Sequence, residues 1–388
     1  DKYDNDWFVE QETVNYHKEH YMDANYELSN EIENWPAHGD LENGEAYFLA
    51  PFVDVDSNDR YEPLMGDYPD VQADKTAYII LHEADEKKFT NSKKMGIEIH
   101  LTAQLFQSAD KVISRTMFLT YQVYNRSSSD LNEFYIGQFN DYNLGYSFDD
   151  LIGCHEIMNT TFVYNGDSFD EGNFGYGSNL PIFGCVLLND EINGHKQVAV
   201  ENKDYSPSDI YAYLEPTLTN ALAFNGDHLK GTGHLDNTPG AKASLISSGP
   251  YTFTSGSSIC YSLAFVFAED DNTQNDPLAA FPTYIENGAH VRNFYREDMV
   301  DCITQTTSID QIKSQTSKIY TKQEGQNIII SGIDEETYLS VYNPSGVLLM
   351  QTTINDTYLL SLDNKPKGIY LLNFTTQQGM VTKKIFIK

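Results

Sequence analysis

The stretch DVDSNDRYE, residues 54–62, spaces its oxygen-bearing residues as a calcium loop does. Oxygen ligands at every second residue can surround a hard cation, because alternate side chains converge as the loop curls. The spacing therefore predicts a calcium site. The residues that would supply its oxygens are Asp54, Asp56, Asn58, Arg60 (through its carbonyl) and Glu62.

This loop departs from the EF-hand pattern in two places. Asp59 stands where glycine makes the sharp turn, and Met65 stands where a bidentate glutamate is expected. Asp67 or Asp70 could supply the missing carboxylate. The competing interpretation is a turn held by Asp and Asn side chains without an ion. The stretches NDYNLGYSFDD and NGDSFDEGN, at 140–150 and 165–173, are weaker candidates of the same kind.

Familiar catalytic motifs are largely absent from the sequence. HEADE (82–86) and HEIMN (155–159) begin like the zinc-binding HExxH helix but lack its second histidine. Neither a GxSxG elbow nor a GxxxxGK[ST] loop occurs. A glycosidase needs only two suitably separated carboxylates, and 57 acidic residues leave that option open. Trp7, Trp35 and the many tyrosines could form a sugar-stacking platform or belong to the core.

The cysteines bear on the redox compartment. They include no CxxC pair, so zinc is not expected. In an oxidising compartment they could form two disulfides in three different pairings, and the alternative is buried free thiols. The four cysteines are Cys154, Cys185, Cys260 and Cys302.

Charge divides the chain into two parts. The whole chain has a net charge of −32, but residues 316–388 hold seven lysines and only six acids. Nucleic acid and anionic lipid both require a basic surface, so neither is an expected partner of the acidic part. The change in charge near residue 316 predicts a domain boundary there.

The elements that would position these residues are mainly strands. Short apolar runs separated by Gly, Asn, Asp and Ser fill residues 78–267, without the helical segments of a βαβ fold. Residues 8–34 and 277–299 have helical spacing, although Pro282 and Gly288 interrupt the second segment. No apolar run is long enough to span a membrane, and residues 1–30 lack the pattern of a signal peptide. The chain is therefore cytoplasmic, has lost its leader, or is part of a longer protein.

The last segment is a regular series of short strands. Residues 319–388 contain six or seven of them, which predicts a small immunoglobulin-like sandwich. NPSG, at 343–346, suits a type I turn. The final run VTKKIFIK, residues 381–388, places lysines on both faces of a strand: Val381, Lys383, Ile385 and Ile387 share one face, and Thr382, Lys384, Phe386 and Lys388 share the other. Lysines on a terminal strand protect its edge from aggregation.

Three motifs in this segment resemble the type A C-terminal sorting domain of the type IX secretion system of Bacteroidota. LSVYNPSGVLL (339–349), PKGIYLLNF (366–374) and GMVTKKIFIK (379–388) are similar to its signature strands, although IYTKQEG (319–325) replaces the usual Tyr-Pro-Asn-Pro opening. The resemblance implies passage through the periplasm and outer membrane to the cell surface or extracellular space. The implied partners are the secretion translocon and its outer-membrane barrel shuttle. The residues carrying the signal would be Gly346, Gly368, Tyr370, Lys383, Lys384 and Lys388.

Most of residues 10–300 has a second resemblance, to a module of large secreted proteins of unknown activity. Its motifs include NWPAHGD (34–40), IGCHE (152–156) and LISSGPYTF (245–253). That resemblance implies a location, and it implies no chemistry.

These observations predict a mainly β, secreted protein in two parts. A large antiparallel β-sandwich body with short flanking helices occupies 1–303, a linker 304–317, and a small immunoglobulin-like sorting domain 318–388. The expected function is non-enzymatic binding or adhesion to a surface glycan or another extracellular ligand, with calcium-stabilised loops. The alternative is a secreted carbohydrate-active hydrolase.

Overall fold

The structure is a computed structural model. It divides into a body, residues 1–306, and a tail, residues 307–388. The linker predicted at 304–317, the turn at 343–346 with Gly346, Cys302 and Lys388 lie outside the described residues. The described residues are 5–43, 45–83, 94–190, 192–198, 211–212, 214–215, 222–270, 272–299, 320–324, 326–331, 333, 337–342, 348–363, 365–376 and 379–387.

Strands dominate the described part of the body, as the short apolar runs predict. The strands are β1 (Asp6–Glu10), β2 (Phe52–Val53), β3 (Tyr68–Pro69), β4 (Lys75–His82), β5 (Ile97–Leu105), β6 (Met117–Asn125), β7 (Leu131–Tyr142), β8 (Asp150–His155), β9 (Thr160–Asn165), β10 (Ile182–Leu187), β11 (Gly194–Val198), β12 (Lys242–Phe253) and β13 (Ser258–Ala268). The helices are α1 (Gln11–His20), α2 (Asn30–Glu33), α3 (Lys111–Ser114) and α4 (Phe281–Asp298), with 3-10 turns at Leu41–Asn43 and Pro63–Met65.

An antiparallel sheet of eight strands forms the centre of the body, in the order β1-β4-β5-β6-β13-β10-β9-β8. A second sheet, β11-β12-β7, packs on one of its faces, and α4 packs on the other. The predicted β-sandwich with flanking helices is therefore confirmed, with α4 as an additional outer layer.

Burial on both faces explains why stretches of the central strands, such as residues 263–268 of β13, are apolar without interruption. Adjacent residues of a strand point to opposite faces. On β6, Phe118 packs beneath α4 while Leu119 packs against the smaller sheet. On β13, Ala264 and Leu263 divide in the same way. Strands buried on both faces lack the polar-apolar alternation of a half-exposed strand.

Helix α4 runs through both residues that interrupt its sequence pattern. Pro282 is the second residue of the helix, where a missing N–H removes no intrahelical hydrogen bond. A Cβ at Gly288 would lie 3.4 Å from Cγ2 of Val186, so the glycine lets the helix approach β10 closely. The helical spacing of 277–299 is thus realised as one helix of 18 residues.

The N-terminal segment is helical only in part. Residues 8–10 belong to β1, which pairs with β4, and the predicted helical stretch is divided between α1 and α2. Ser29 caps α2 by accepting from Ile32 N at 3.4 Å. Trp35 follows α2 and is buried in a separate apolar cluster.

Strand β8 is the last strand of the large sheet, and its outer edge is covered by the segment 222–241. Cys154 N donates to Phe224 O at 3.0 Å, as it would to a neighbouring strand. Ile152 N donates to Oδ2 of Asp236 at 3.1 Å. A carboxylate thus takes the place of a backbone carbonyl along this edge.

The tail is built from two small sheets, of order β14-β15-β18 and β17-β16-β19-β20. Their buried side chains form one core that includes Ile328, Leu339, Tyr370 and Phe374. This arrangement agrees with the predicted small sandwich. The strands are β14 (Tyr320–Glu324), β15 (Asn327–Ser331), β16 (Thr337–Tyr342), β17 (Leu348–Ile354), β18 (Tyr358–Ser361), β19 (Gly368–Thr376) and β20 (Gly379–Ile387).

Candidate functional site

The predicted calcium loop is closed by its own side chains. Asp54 accepts hydrogen bonds from Ser57 N and Asp59 N, each at 2.7 Å. Burial acts to raise the pKa of Asp54, but these backbone N–H groups outweigh it and lower the pKa. Ser57 and Asp59 both have positive φ, 60° and 62°, and the Asp54 hydrogen bonds hold them in that conformation.

Asp56 and Glu62 converge on the side-chain amide of Asn58. The amide Nδ2 donates to Asp56 Oδ2 at 2.9 Å and to Glu62 Oε2 at 2.8 Å. Its Oδ1 accepts from Arg60 N at 2.8 Å, which orients the amide. Three of the predicted ligands are thus close together, and a cation between the two carboxylates would displace the amide nitrogen.

Asp67 spans the base of this loop. Its buried carboxylate accepts from Val55 N at 2.9 Å and from Glu62 N at 2.7 Å. Within the described residues, no group of three or more His, Cys, Asp or Glu side chains is arranged to hold a metal ion. The loop is held by hydrogen bonds of its own side chains, and calcium stays a prediction.

Only some of the cysteines agree with the expectation of two disulfide bonds. Cys154 and Cys185 are free and buried, which corrects that expectation for these two residues. Both are in register with Thr161, one on each side, so a whole strand separates them. Two strand spacings, about 10 Å, exceed the Cα distance of a disulfide. Cys260 is disulfide-bonded, and its bonded partner lies outside the described residues.

Two loops carry a group of exposed aromatic side chains. Residues 143–149 connect β7 to β8 and residues 166–181 connect β9 to β10; together they are called the aromatic loop pair. Phe148 is 67% exposed and Phe174 is 89% exposed. Exposed aromatic side chains on neighbouring loops commonly mark binding surfaces. The five exposed rings, called the aromatic patch, are Tyr146, Phe148, Phe169, Phe174 and Tyr176.

Asp170 ties the aromatic loop pair together. Its carboxylate is buried and accepts from Tyr146 N at 2.7 Å and from Tyr176 N at 2.9 Å. Backbone hydrogen bonds in both directions join Asp170 to Gly177 and close the turn between them. The ring of Tyr146 lies 5.6 Å from that of Phe148. One buried carboxylate thus positions rings from both loops.

The two weaker acidic stretches, 140–150 and 165–173, therefore meet in space. Burial and the negative charge of Asp170 raise the pKa of Asp149 to about 6. Burial raises the pKa of Asp150 to about 8, with smaller contributions from the charges of Asp149 and Asp170. Both carboxylate oxygens of Asp149, and Oδ1 of Asp150, find no hydrogen-bond partner in the described part of the chain. These carboxylate oxygens are shielded from solvent.

The sequence did not single out these particular rings. Trp35 belongs to the core, where its Nε1 donates to Pro51 O at 2.9 Å, and Trp7 packs against the same cluster. The available signal was the occurrence of Phe and Tyr inside Gly-, Asn- and Asp-rich turns, where no strand can bury them.

In the tail, Tyr370 is fully buried and its hydroxyl donates to Pro366 O at 2.6 Å, which fixes the PKGIY turn. Gly368 pairs with Ile387, so the turn and the end of the chain lie side by side. Lys383 is half-buried, and the backbone of Lys384 pairs with Leu371. Strand β20 pairs only with β19 among the described strands, which makes it an edge strand.

Comparison with known structures yields distant likenesses over 80% of the chain. A polysaccharide lyase covers 80% of this chain at 8% identity and a TM-score of 0.27, and this chain spans 39% of the length of that lyase. The BSP domain of a biofilm-associated protein covers 80% of this chain, with 84% of that chain covered, at 9% identity and a TM-score of 0.16. Neither TM-score is high enough to indicate a shared fold. No curated protein is similar enough in sequence to count as a relative.

The comparison with protein families concerns the tail. Residues 318–388 match the secretion system C-terminal sorting domain. This match covers the buried Tyr370 turn and the terminal lysine-bearing strand. None of the helices in the described residues has the length and apolar character needed to cross a membrane. The chain therefore ends in a secretion system C-terminal sorting domain and is a cargo of the type IX secretion system, exported to the cell surface or the extracellular space.

Proposed function

We propose that the body is a non-enzymatic, extracellular binding module that holds polysaccharide at the aromatic patch. The observation that carries this proposal is the group of exposed rings on two loops tied by the buried carboxylate of Asp170. Rings held on a fixed backbone can bind without first becoming ordered, which reduces the entropic cost of association.

The chemistry of the patch favours a saccharide over other extracellular ligands. A sugar presents C–H faces that pack on aromatic rings, together with hydroxyl groups that hydrogen-bond to polar loop atoms. The body has a net negative charge, so anionic polymers would be repelled. A neutral polysaccharide fits both properties.

The sorting domain contributes to this function by placing the body outside the cell. Export places the body at the surface, where retention of a polysaccharide would serve adhesion. The translocon and barrel shuttle are the proposed partners of residues 318–388 during export, and calcium at residues 54–67 is a proposed stabiliser.

The test compares matched exposed rings. Purified full-length chain is incubated with a panel of insoluble neutral polysaccharides, and the protein left in solution is measured. A variant with Phe148→Ala and Phe174→Ala should bind more weakly by about tenfold or more, equivalent to about 1.4 kcal/mol. Phe8→Ala is the control, because Phe8 is 63% exposed but lies on β1, outside the aromatic patch.

Two results would contradict the proposal. One is equal retention of the double variant and the unmodified chain. The other is the absence of retention on every polysaccharide while the chain remains folded by circular dichroism.

A secreted carbohydrate-active hydrolase is the second candidate. It is favoured by Asp149, whose pKa of about 6 would suit a general acid. The hydrolase ranks second because a catalytic acid must reach the glycosidic oxygen of its substrate. The carboxylate oxygens of Asp149, and Oδ1 of Asp150, are buried. New reducing ends released from a retained polysaccharide, and lost in Asp149→Asn, would establish the hydrolase.

A further inference from the structure

Lys242 and Asp236 form an ion pair inside the body. Nζ of Lys242 lies 2.7 Å from Oδ2 of Asp236, and each side chain is only 1% exposed. The same ammonium group donates to Thr238 O at 2.6 Å. Lys242 is the first residue of β12, and Asp236 lies in the segment that covers the edge of β8.

The carboxyl group of Asp236 is held in one orientation. Its Oδ1 accepts from Thr238 N at 3.1 Å and from Thr238 Oγ1 at 2.9 Å. Its Oδ2 accepts from Ile152 N at 3.1 Å as well as from Lys242. The N–H and O–H donors to Oδ1 would equally bind the carbonyl oxygen of an amide.

A third ionisable group belongs to the same covered edge of β8. Asp150 is completely buried, and the charge of Lys242 acts on it. Gly240 N, in the same covering segment, donates to Asp150 O at 3.1 Å. Burial raises the pKa of Asp150 to about 8, so this acid carries a proton at neutral pH. Its Oδ1 finds no hydrogen-bond partner among the described residues.

We propose that Lys242 and Asp236 condense into an intramolecular amide bond, and that Asp150 carries the protons during the reaction. Nζ of Lys242 passes one proton to Oδ2 of Asp236 and, as a neutral amine, attacks Cγ of Asp236; it keeps one proton as the N–H of the amide. The Nζ–Cγ bond forms, the Cγ–Oδ2 bond breaks, and Oδ2 leaves as water with two of the protons. Asp150 donates a proton to the leaving oxygen and regains one from the nitrogen, so it is unchanged at the end.

The reaction needs no co-reactant. An ammonium and a carboxylate become one neutral amide and one water, so neither oxidation state nor net charge changes. Burial of both side chains favours this outcome, because two desolvated charges are costly to keep inside a protein. The fold also holds the two groups in contact, so the entropic cost of bringing them together is already met before the reaction.

Intact mass is the direct test. The full-length chain is purified, reduced, denatured and weighed. We expect a population lighter than the sequence mass by one water. Trypsin should also fail to cleave after Lys242, because an acylated lysine is not a trypsin site. The peptide GTGHLDNTPGAK, residues 231–242, should then be depleted and replaced by a longer one extending past residue 242.

Cleavage at Lys242 separates this bond from a succinimide, which also loses water but leaves the lysine open to trypsin. Lys242→Met should have its full sequence mass. Asp150→Asn keeps both reacting groups and should also have its full mass, or lose water much more slowly. A full-mass chain after prolonged incubation at neutral pH, with complete release of peptide 231–242, would overturn the proposal whatever the polysaccharide assays show.

Discussion

Two loop systems of the body use the same device for different purposes. In the loop 54–67, the buried Asp67 accepts two backbone N–H groups and closes a turn that carries four further acids and one amide. In the aromatic loop pair, the buried Asp170 does the same, but the backbone it holds presents rings to solvent. The comparison shows that the buried carboxylate determines the shape of a loop, and the remaining side chains determine what the loop can bind.

The largest expected effect comes from removing either buried carboxylate. Asp67→Ala and Asp170→Ala should each lower the free energy of unfolding by about 4 kcal/mol, at about 2 kcal/mol for each hydrogen bond to a charged group. Urea denaturation measures this loss. Only Asp170→Ala should also lose polysaccharide retention, because Asp67 is remote in sequence from the aromatic loop pair and holds a different turn. Equal loss of retention in both variants would contradict the distinction between the two loops.

Asp150, the first residue of β8 after the loop 143–149, should respond to pH differently from the loop 54–67. Asp150 has a folded-state pKa of about 8, well above the unfolded value, so the folded chain holds one more proton between pH 6 and 8. Stability must then fall as pH rises, by about 1.4 kcal/mol for each pH unit or about 3 kcal/mol over this range. Asp150→Asn should remove most of this slope, as measured by denaturation at each pH.

Asp54 provides the control for that slope. Its folded-state pKa is lowered, so its contribution is complete above its unfolded pKa and is lost only as the pH falls through acid values. Asp54→Ala should therefore keep the slope between pH 6 and 8. A wild-type stability that is constant over this range would show that Asp150 is not a neutral acid in the folded chain.

Calcium binding would change the stability of the loop 54–67 without involving the aromatic loop pair. Calcium at 100 times its dissociation constant would stabilise the folded chain by about 2.7 kcal/mol. Chelator should lower the melting temperature, and Asp56→Ala should remove most of that response. Identical melting curves of metal-loaded chain with and without chelator would leave a turn held by hydrogen bonds alone.

The sequence was sufficient where the determining interactions are local or periodic. Short apolar runs predicted the strands of both parts, and the ordered tail motifs predicted the sorting domain that residues 318–388 match. The Asp54 turn is equally local, because its donors lie three and five residues away. Helix α4 was harder, since Gly288 disfavours a helix until its close approach to Val186 is known.

The aromatic patch could not be predicted in the same way. Tyr146 and Asp170 are 24 residues apart, and their hydrogen bond exists only because strands β8 and β9 fold back on each other. The acids of both stretches were visible in the sequence. Their burial, and the exposure of the neighbouring rings, depend on tertiary packing.

The covered edge of β8 affects whether copies of the chain can associate through their sheets after export. Sheets often aggregate when an open edge strand offers unpaired N–H and C=O groups to another molecule. Here the outward N–H of Ile152 is occupied by a carboxylate, and that of Cys154 by the carbonyl of Phe224. A second copy of the chain therefore meets no unpaired backbone N–H group at these two positions. Many copies can stand close together at high density without joining their sheets through this edge.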